Sequence, residues 1–225
     1  MSTSTTSSVL PGASRACDAG YGCAYDYHYT VGYTAGYLAA DTLALGGASI
    51  VPRRRVQPFG CSTVNGGPMD GASGILGLGR GALSLVSQLG VGRFSYCLRS
   101  DANAGASPIL FGSVANVTGA TVQSTPLVRN PVTQHAPYYY VNLTGVTVGG
   151  TDLPVTSDTF GFTATGAGGL IVDSGTTFTN LAEAGYAMVR QAFLSQTANL
   201  TRVSGTPFKF DLCFAAGRFR WLFIL

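Results

Sequence analysis

Glycine-rich turns divide this chain into short runs of strand-forming residues, and that pattern limits the folds open to it. Its 225 residues include 31 glycines, which is roughly twice the usual share. Runs rich in Tyr, Val, Thr, Ile and Phe alternate with clusters of Gly, Asn, Pro and Asp. The runs are Cys23–Tyr29, Tyr37–Leu45, Tyr138–Val148 and Leu170–Val172. This spacing predicts a mainly β fold.

Two segments carry a helical pattern instead. Leu83–Leu89 predicts a short helix, and Leu181–Leu194 predicts a longer one with an apolar stripe at Tyr186, Val189 and Phe193. A proline-containing stretch over residues 129–137 reads as a linker, so we place a domain boundary between residues 130 and 131. From Phe214 onward the sequence changes character, which predicts a frayed or non-native terminus.

Composition excludes several classes of protein. Charged residues make up 10% of the chain, against about 25% in ordinary soluble domains, yet no uninterrupted apolar run is long enough for a membrane span. The net charge is +3, and the one basic cluster, at residues 53–55, lacks interleaved aromatic residues, so nucleic-acid binding is not expected. The first eight residues lack the pattern of a secretory signal peptide.

Cysteines and glycosylation sequons both point to an oxidising compartment. The five cysteines show no Cys-x-x-Cys spacing, and the chain has only two histidines, so neither a metal site nor a cofactor is predicted. We expect disulfides, with one thiol left without a partner in this chain. The disulfide candidates are Cys17, Cys23, Cys61, Cys97 and Cys213. The candidate N-glycosylation sites are Asn116, Asn142 and Asn199, each followed by a Thr two positions later.

One short motif carries the chemistry. Asp173-Ser174-Gly175-Thr176 follows the apolar residues 170–172 and precedes the alternating stretch 177–181 that leads into the longer predicted helix. A β-turn without function is the alternative interpretation of those four residues. The flanking pattern favours a strand that delivers a carboxylate to a loop whose amide and hydroxyl donors hold it ionised. No second Asp-Ser/Thr-Gly occurs in the chain.

Several segments together resemble the pepsin-like aspartic endopeptidases, in particular their plant nepenthesin-like branch. The resemblance covers about residues 17–214. It is carried by Cys23–Tyr29 with Thr34–Leu43, Phe59–Cys61 with Gly74–Leu89 and Phe94–Leu98, Tyr139–Val141 with Val148–Gly150, Asp173–Thr177, and Cys213. It implies a pepsin-like bilobal β fold with a cleft between an N-lobe (residues 1–130) and a C-lobe (residues 131–225), each lobe supplying one catalytic aspartate.

The resemblance also implies roles for individual residues. Asp173 matches the catalytic aspartate of the C-lobe, Ser174 and Thr176 the loop donors, and Gly175 the position that permits a tight backbone path. Tyr29 matches the flap tyrosine. The hairpin tip departs from the family, since Tyr-Thr-Val-Gly-Tyr-Thr at residues 29–34 replaces the usual Tyr-Gly-Asp-Gly-Ser-x-Thr and is one residue shorter.

An N-lobe aspartate motif is missing from this sequence. In the family each aspartate loop pairs with a later apolar-apolar-Gly segment, and residues 75–77 fit that role for the N-lobe. Its aspartate is expected upstream of Cys17, where this chain has only Ser, Thr and Ala-rich sequence, and the C-lobe partner segment is expected beyond residue 225. We therefore expect a fold that is incomplete in both lobes.

The resemblance implies an aspartic-type endopeptidase that cleaves protein or peptide substrates at acidic pH, monomeric in its complete form and extracellular or vacuolar. For this chain alone we expect little activity, because one of two carboxylates is missing. One alternative is a catalytically inactive pepsin-fold binding protein such as a xylanase inhibitor. Another is a homodimer that pools two copies of Asp173.

Overall fold

The structure is a computed structural model that describes residues 13–18, 22–29, 32–44, 53–67, 71–99, 105–132, 137–176, 178–205 and 210–215. Within the strands, only the backbone is described at 13–18, 42, 44 and 53–58. The described strands are β1 Ala13–Asp18, β2 Gly22–Tyr29, β3 Gly32–Ala44, β4 Arg53–Gly66, β5 Phe94–Tyr96, β6 Ile109–Phe111, β7 Leu127–Val128, β8 Tyr140–Val141, β9 Thr147–Val148, β10 Thr151–Asp152, β11 Leu170–Ile171, β12 Arg202–Val203 and β13 Cys213–Phe214. The helices are α1 Leu85–Leu89, α2 Ser157–Phe160 and α3 Glu183–Gln196, with a 3₁₀ turn at Gly112–Ala115. The protein is mainly β, as its sequence predicts.

A four-stranded antiparallel meander, β1-β2-β3-β4, forms the largest described sheet. Its register places Tyr29 opposite Gly32, so two residues connect β2 and β3, and both lie outside the described residues. Further along, β3 pairs with β4 through two register shifts, which act as bulges in the long strands. The hairpin that the sequence assigns to a flap is therefore part of a larger sheet.

Smaller antiparallel pairings build the rest of the structure. The three-stranded sheet β11-β8-β7 has β8 at its centre, and the pairs β9 with β10, β12 with β13 and β5 with β6 stand separately. The predicted strand Tyr138–Val148 is therefore wrong as a single element, because it divides into β8 and β9. Asn142 and Gly145, which lie between these two strands, are both residues that favour turns.

Helix α1 begins and ends with recognisable caps. Ser84 precedes it, and its hydroxyl accepts a hydrogen bond from the Ser87 amide at 3.2 Å, satisfying an amide that has no partner within the helix. Gly90 ends the helix in the left-handed conformation with φ of 65°, which suits glycine. The predicted segment Leu83–Leu89 thus contains the helix and overshoots its start by two residues.

Helix α3 supplies the main apolar cluster of its part of the chain. Val189 and Ala192 on the helix pack with Val148 of β9, and all three are buried. Phe193 packs against the same cluster, as the predicted stripe requires. Tyr186 does not belong to this face, since it is 40% exposed and its hydroxyl donates to Asp211 at 2.7 Å.

Backbone contacts divide the chain into two compact units. The first contains the described residues up to Ser124 with Pro137 and Tyr138, and the second contains residues 125–132 and those from Tyr139 onward. At the end of the second unit, β13 pairs with β12 through Phe214 and Arg202. The predicted fraying is therefore wrong at Phe214, and the remainder of that segment lies outside the described residues.

Candidate active site

The Asp173 loop leaves the edge of the three-stranded sheet. Strand β11 pairs with β8 through Leu170 and Ile171, and the next amide, of Val172, donates to the Tyr139 carbonyl at 2.9 Å. Asp173 follows immediately and begins a turn closed by the Thr176 amide, which donates to the Asp173 carbonyl at 3.4 Å. A strand therefore delivers the carboxylate to a tight loop, as the flanking sequence indicates.

Two donors from this turn hold the Asp173 carboxylate. The Gly175 amide donates to Oδ1 at 2.8 Å, and the Thr176 hydroxyl donates to Oδ2 at 2.7 Å. Each carboxylate oxygen thus accepts a hydrogen bond from within three residues, and the two bonds fix the orientation of the carboxylate. Asp173 remains exposed, so its carboxylate is accessible to solvent.

A side chain at position 175 would crowd the Asp173 carboxylate. A Cβ built at Gly175 would lie 3.2 Å from Oδ1 of Asp173, tighter than ordinary van der Waals contact, and would crowd the amide that donates to the same oxygen. The role of Gly175 as the residue that permits a tight backbone path stays a prediction. Ser174 is exposed, and its role as a loop donor stays a prediction.

Tyr29, the sequence-predicted flap residue, lies at the last position of β2. Its ring meets that of Tyr27 edge-on, with centroids 4.7 Å apart and planes at 64°. Partial burial and the neighbouring phenols of Tyr27 and Tyr25 raise the pKa of Tyr29 above its ordinary value. The phenol is therefore neutral across the acidic and neutral range, and it can act as a hydrogen-bond donor there.

A cluster of three hydroxyls fastens the base of the same hairpin to β4. The Tyr25 hydroxyl lies 3.1 Å from Thr34 Oγ1 and 2.6 Å from Ser62 Oγ, and Thr34 also bonds Ser62. A Cβ at Gly60 would lie 2.8 Å from the Tyr25 ring, so this glycine allows the ring to lie against β4. No local sequence pattern predicts this cluster, because its members come from the three strands β2, β3 and β4.

The cysteine candidates fall into two groups. Cys17 lies opposite Cys23 in the β1–β2 register, whereas Cys61 and Cys97 are exposed free thiols and Cys213 is a half-buried one. The three glycosylation candidates, Asn116, Asn142 and Asn199, are all exposed and lie outside helices and strands. Asn116 accepts a hydrogen bond from Arg93 at 3.2 Å.

An apolar cavity of about 280 Å³ lies in the first unit. It is lined by Asp41, Leu43, Phe59, Leu76, Gly77, Leu83, Leu85 and Gln88. Two of the lining residues, Leu76 and Gly77, belong to the apolar-apolar-Gly segment at residues 75–77 that the resemblance assigns to the N-lobe. The two apolar residues of this segment, Ile75 and Leu76, are 60% and 51% exposed. Asp173 belongs to the second unit and is not among these lining residues.

Sequence reasoning missed two groups of residues in the second unit. Asn130 is only 4% exposed and links two distant segments, and an Asn-Pro turn signal at residues 130–131 is the only trace of it in the sequence. Asp211 accepts hydrogen bonds from Arg190 and Tyr186, which lie on α3. Neither group has a local pattern that reveals its long-range partner.

Family comparisons assign the chain to a pepsin-like class. Residues 2–113 match the family described as xylanase inhibitor N-terminal, and residues 138–221 match the one described as xylanase inhibitor C-terminal. With its mainly β structure and its Asp-Ser-Gly-Thr loop, the chain belongs to this pepsin-like family of plant proteins, which includes the nepenthesin-type aspartic proteases.

Individual relatives are aspartic proteases. Aspartic proteinase nepenthesin-1 from Nepenthes gracilis is 40% identical over 221 residues, which are 94% of this chain and 49% of the relative. Protein ASPARTIC PROTEASE IN GUARD CELL 2 from Arabidopsis thaliana is 41% identical over 88% of this chain and 41% of the relative. Nepenthesin-2 from Nepenthes gracilis is 39% identical over 85% and 43%, respectively. The chain thus spans about half the length of the curated relatives it matches. No solved structure matches it significantly.

Within the described residues, none of the helices has the length and apolar character needed to cross a bilayer. The same part of the chain contains no group of three or more His, Cys, Asp or Glu side chains that could hold a metal ion.

Proposed function

We propose that the whole protein is an aspartic endopeptidase in which Asp173 is one of two catalytic carboxylates. The observation that carries the proposal is the Asp173 turn, where the Gly175 amide and the Thr176 hydroxyl each bond one carboxylate oxygen at 2.8 and 2.7 Å and the aspartate stays exposed. The similarity to aspartic proteases along most of the chain supports it.

The proposed chemistry follows from what this turn does to the carboxylate. Asp173, oriented by this turn, accepts a proton from a water molecule, and the resulting hydroxide adds to the carbonyl carbon of a peptide bond. The tetrahedral intermediate then collapses with cleavage of the C–N bond, and the leaving amine takes up the proton that Asp173 had accepted. Two nearby carboxyl groups ionise one at a time, so the second carboxyl of such a pair stays protonated and can donate to the peptide oxygen. Tyr29, neutral at acidic pH, is proposed as the flap residue that covers the bound peptide.

The test is digestion of an unfolded protein substrate at about pH 4. In the whole protein we expect Asp173→Asn to lower kcat by at least about 100-fold, because a general acid-base step contributes about 10² to 10⁴-fold. Asp158→Asn is the matched control, since Asp158 is also exposed and its carboxylate accepts a long hydrogen bond from the neighbouring Ser157 at 3.4 Å. Equal activity in both variants would refute the role of Asp173.

For the 225-residue chain by itself we expect little or no digestion, since it contains one Asp-Ser/Thr-Gly motif. Digestion that Asp173→Asn abolishes would contradict this expectation. If the whole protein proves inactive but binds a xylanase with a defined stoichiometry, the inhibitor alternative replaces the protease.

The finer properties of the whole protein are proposals as well. We propose a secreted or vacuolar plant glycoprotein, monomeric when complete, with glycans at Asn116, Asn142 and Asn199. Exposure of all three asparagines supports this. A mobility shift after glycosidase treatment, absent when each Asn is changed to Gln, tests each site.

We also propose a disulfide between Cys17 and Cys23. Their Cα atoms face each other across β1 and β2, and directly opposed residues of an antiparallel pair lie about 4.5–5.5 Å apart at Cα, within the range that a disulfide spans. The remaining thiols, on Cys61, Cys97 and Cys213, are free in this structure. Mass spectrometry of the unreduced, proteolysed protein should find the Cys17 and Cys23 peptides linked, and recovery of Cys23 linked elsewhere would refute the pairing.

A further inference from the structure

Among the described residues of the second unit, Asn130 is the least exposed polar one, and both ends of its side-chain amide form hydrogen bonds. At 4% exposure, its Nδ2 donates to the Gly166 carbonyl at 2.7 Å, and its Oδ1 accepts from the Val132 amide at 2.9 Å. The second bond is a local turn, whereas the first joins residues 36 positions apart. A buried amide with such bonds is costly to disturb.

The segment that Asn130 holds leads directly to the catalytic loop. Residues 161–169, here called the 161–169 hairpin, are closed by a bridge between Phe162 and Gly168 and by the Gly169 amide, which donates to the Gly161 carbonyl at 3.0 Å. Strand β11 starts at Leu170, and Asp173 follows three residues later. Whatever fixes the hairpin therefore fixes where β11 begins.

At the tip of the hairpin, the backbone of Gly166 lies close to Asn130. Gly166 has φ of +77°, and a Cβ there would lie 2.8 Å from Oδ1 of Asn130 and 2.7 Å from Cβ of Val132. Glycine is thus required both for the left-handed backbone and for the close approach. At the other end of the hairpin, Phe162 packs edge-on against the buried Tyr140 of β8, with ring centroids 4.9 Å apart.

The paired part of β11 is too short to define its own register. It consists of Leu170 and Ile171, preceded by two glycines at positive φ. A slip of one residue along β8 would move the chain by about 3.3 Å and turn each side chain to the opposite face. Asp173 would then point away from its present direction, with its own turn still intact.

We propose that Asn130 is a positioning residue for Asp173: by fixing the 161–169 hairpin to the end of β7, it sets the register of β11 on β8. The hydrogen bonds of the Asn130 side chain go to Gly166 and Val132, and through the hairpin they act on β11. The importance of the positioned group rests on the proposed function, whereas the positioning itself is a property of the fold that can be measured without catalysis.

The experiment compares Asn130→Asp with Asn130→Ala by amide hydrogen exchange, expressed as protection factors. Asn130→Asp keeps the shape and the acceptor for Val132 but, when ionised, turns an oxygen without a hydrogen toward the Gly166 carbonyl. At neutral pH we expect both variants to lose protection about tenfold or more at Gly169 and Val172, as expected for a buried carbonyl that loses its partner. Amides of α3, such as Tyr186 and Thr197, should keep theirs.

Acidification separates a specific role from general destabilisation. Once protonated, the carboxyl introduced by N130D regains an O–H donor for the Gly166 carbonyl, so protection at Val172 should recover in N130D near pH 3.5 and stay low in N130A. The matched control is Asn180→Asp, where an exposed Asn donates to the Phe178 carbonyl at 3.0 Å. It should leave Val172 unchanged at both pH values.

Three results would overturn the proposal: unchanged protection of Val172 in N130D, an equal loss in α3, or identical pH responses of N130D and N130A. Should N130D fail to fold, Asn130→Ser replaces it, because a serine hydroxyl still accepts from the Val132 amide and is too short to reach Gly166. Loss of positioning with normal digestion by the whole protein would refute the link to Asp173, whereas inactivity of unaltered protein would refute only the proposed function.

Discussion

Replacing Gly185 by alanine sets two opposing effects against each other within α3. Gly185 is buried in the first turn of the helix, where alanine is favoured over glycine by at most about 1 kcal/mol. A Cβ at this position would lie 2.2 Å from Cζ and 2.3 Å from Cε1 of Phe160 at the end of α2. Since unstrained carbon contacts begin near about 3.5 Å, the ring must retreat by more than about 1 Å.

Steric strain should win this comparison. Overpacking costs about 1–3 kcal/mol in well-packed sites, which exceeds the gain in helix propensity, so Gly185→Ala should lower the free energy of unfolding by about 1 kcal/mol. The assay is urea denaturation followed by circular dichroism at 222 nm, a signal to which the 14-residue α3 contributes. A more stable variant would refute the steric reasoning.

Two further variants isolate the two effects. Ala187→Gly, at an exposed position of the same helix, measures the propensity difference alone and should cost about 1 kcal/mol. In a Phe160→Ala background the clash is absent, so Gly185→Ala should become neutral or stabilising. The same cost for Gly185→Ala with and without the Phe160 ring would show that the two residues are not coupled.

Three other predictions concern titration and packing. Hydrogen bonds from Arg190 and then from Tyr186 lower the pKa of Asp211. Ionised Asp211 therefore stabilises the folded chain above the ordinary pKa of 3.8, and this stabilisation is lost as the pH falls below that value. The free energy of unfolding of Asp211→Asn should thus depend less steeply on pH in this range, and an unchanged slope would contradict the prediction. Burial and the phenols of Tyr27 and Tyr25 raise the pKa of Tyr29 above 10.0, so the difference in 295 nm absorbance between the chain and its Tyr29→Phe variant should titrate above that value. Tyr140→Ala removes a ring that is 7% exposed and should cost about 3–5 kcal/mol in urea denaturation, whereas Tyr37→Ala, at 51% exposure, should cost far less.

Elements with local signals could be predicted from the sequence, and elements that depend on distant partners could not. Ser84 and Gly90 mark the ends of α1 through contacts within a few residues, so the prediction of that helix came close. Apolar spacing located α3, but it also placed Tyr186 in the core stripe. The Tyr186 hydroxyl instead donates a hydrogen bond to the carboxylate of Asp211, 25 positions away. No local sequence pattern predicts a partner at that distance.

The Asp173 site likewise combines contacts that are local in the sequence with contacts that join distant residues. Its two donors, the Gly175 amide and the Thr176 hydroxyl, lie two and three positions after the aspartate, so the hydrogen bonds that hold the carboxylate close within four consecutive residues. The residues that determine where this turn stands are different: Asn130 bonds Gly166, and Tyr140 packs on Phe162, both across long stretches of chain. These contacts join residues that share no motif, and their geometry became apparent only in the folded chain.

Orientation, position and partnership are thus three separate requirements for a catalytic carboxylate, and they are encoded at increasing distances along a sequence. The turn at residues 173–176 provides orientation, because its hydrogen bonds close within the motif itself. The segments around Asn130 and Tyr140 provide position from within the same compact unit. Partnership needs a second acid, for which this chain offers no further Asp-Ser/Thr-Gly. A polypeptide can therefore satisfy the first two requirements and still lack peptidase activity, which is why the digestion assay must be made on the whole protein while the hydrogen-exchange assay can be made on this chain.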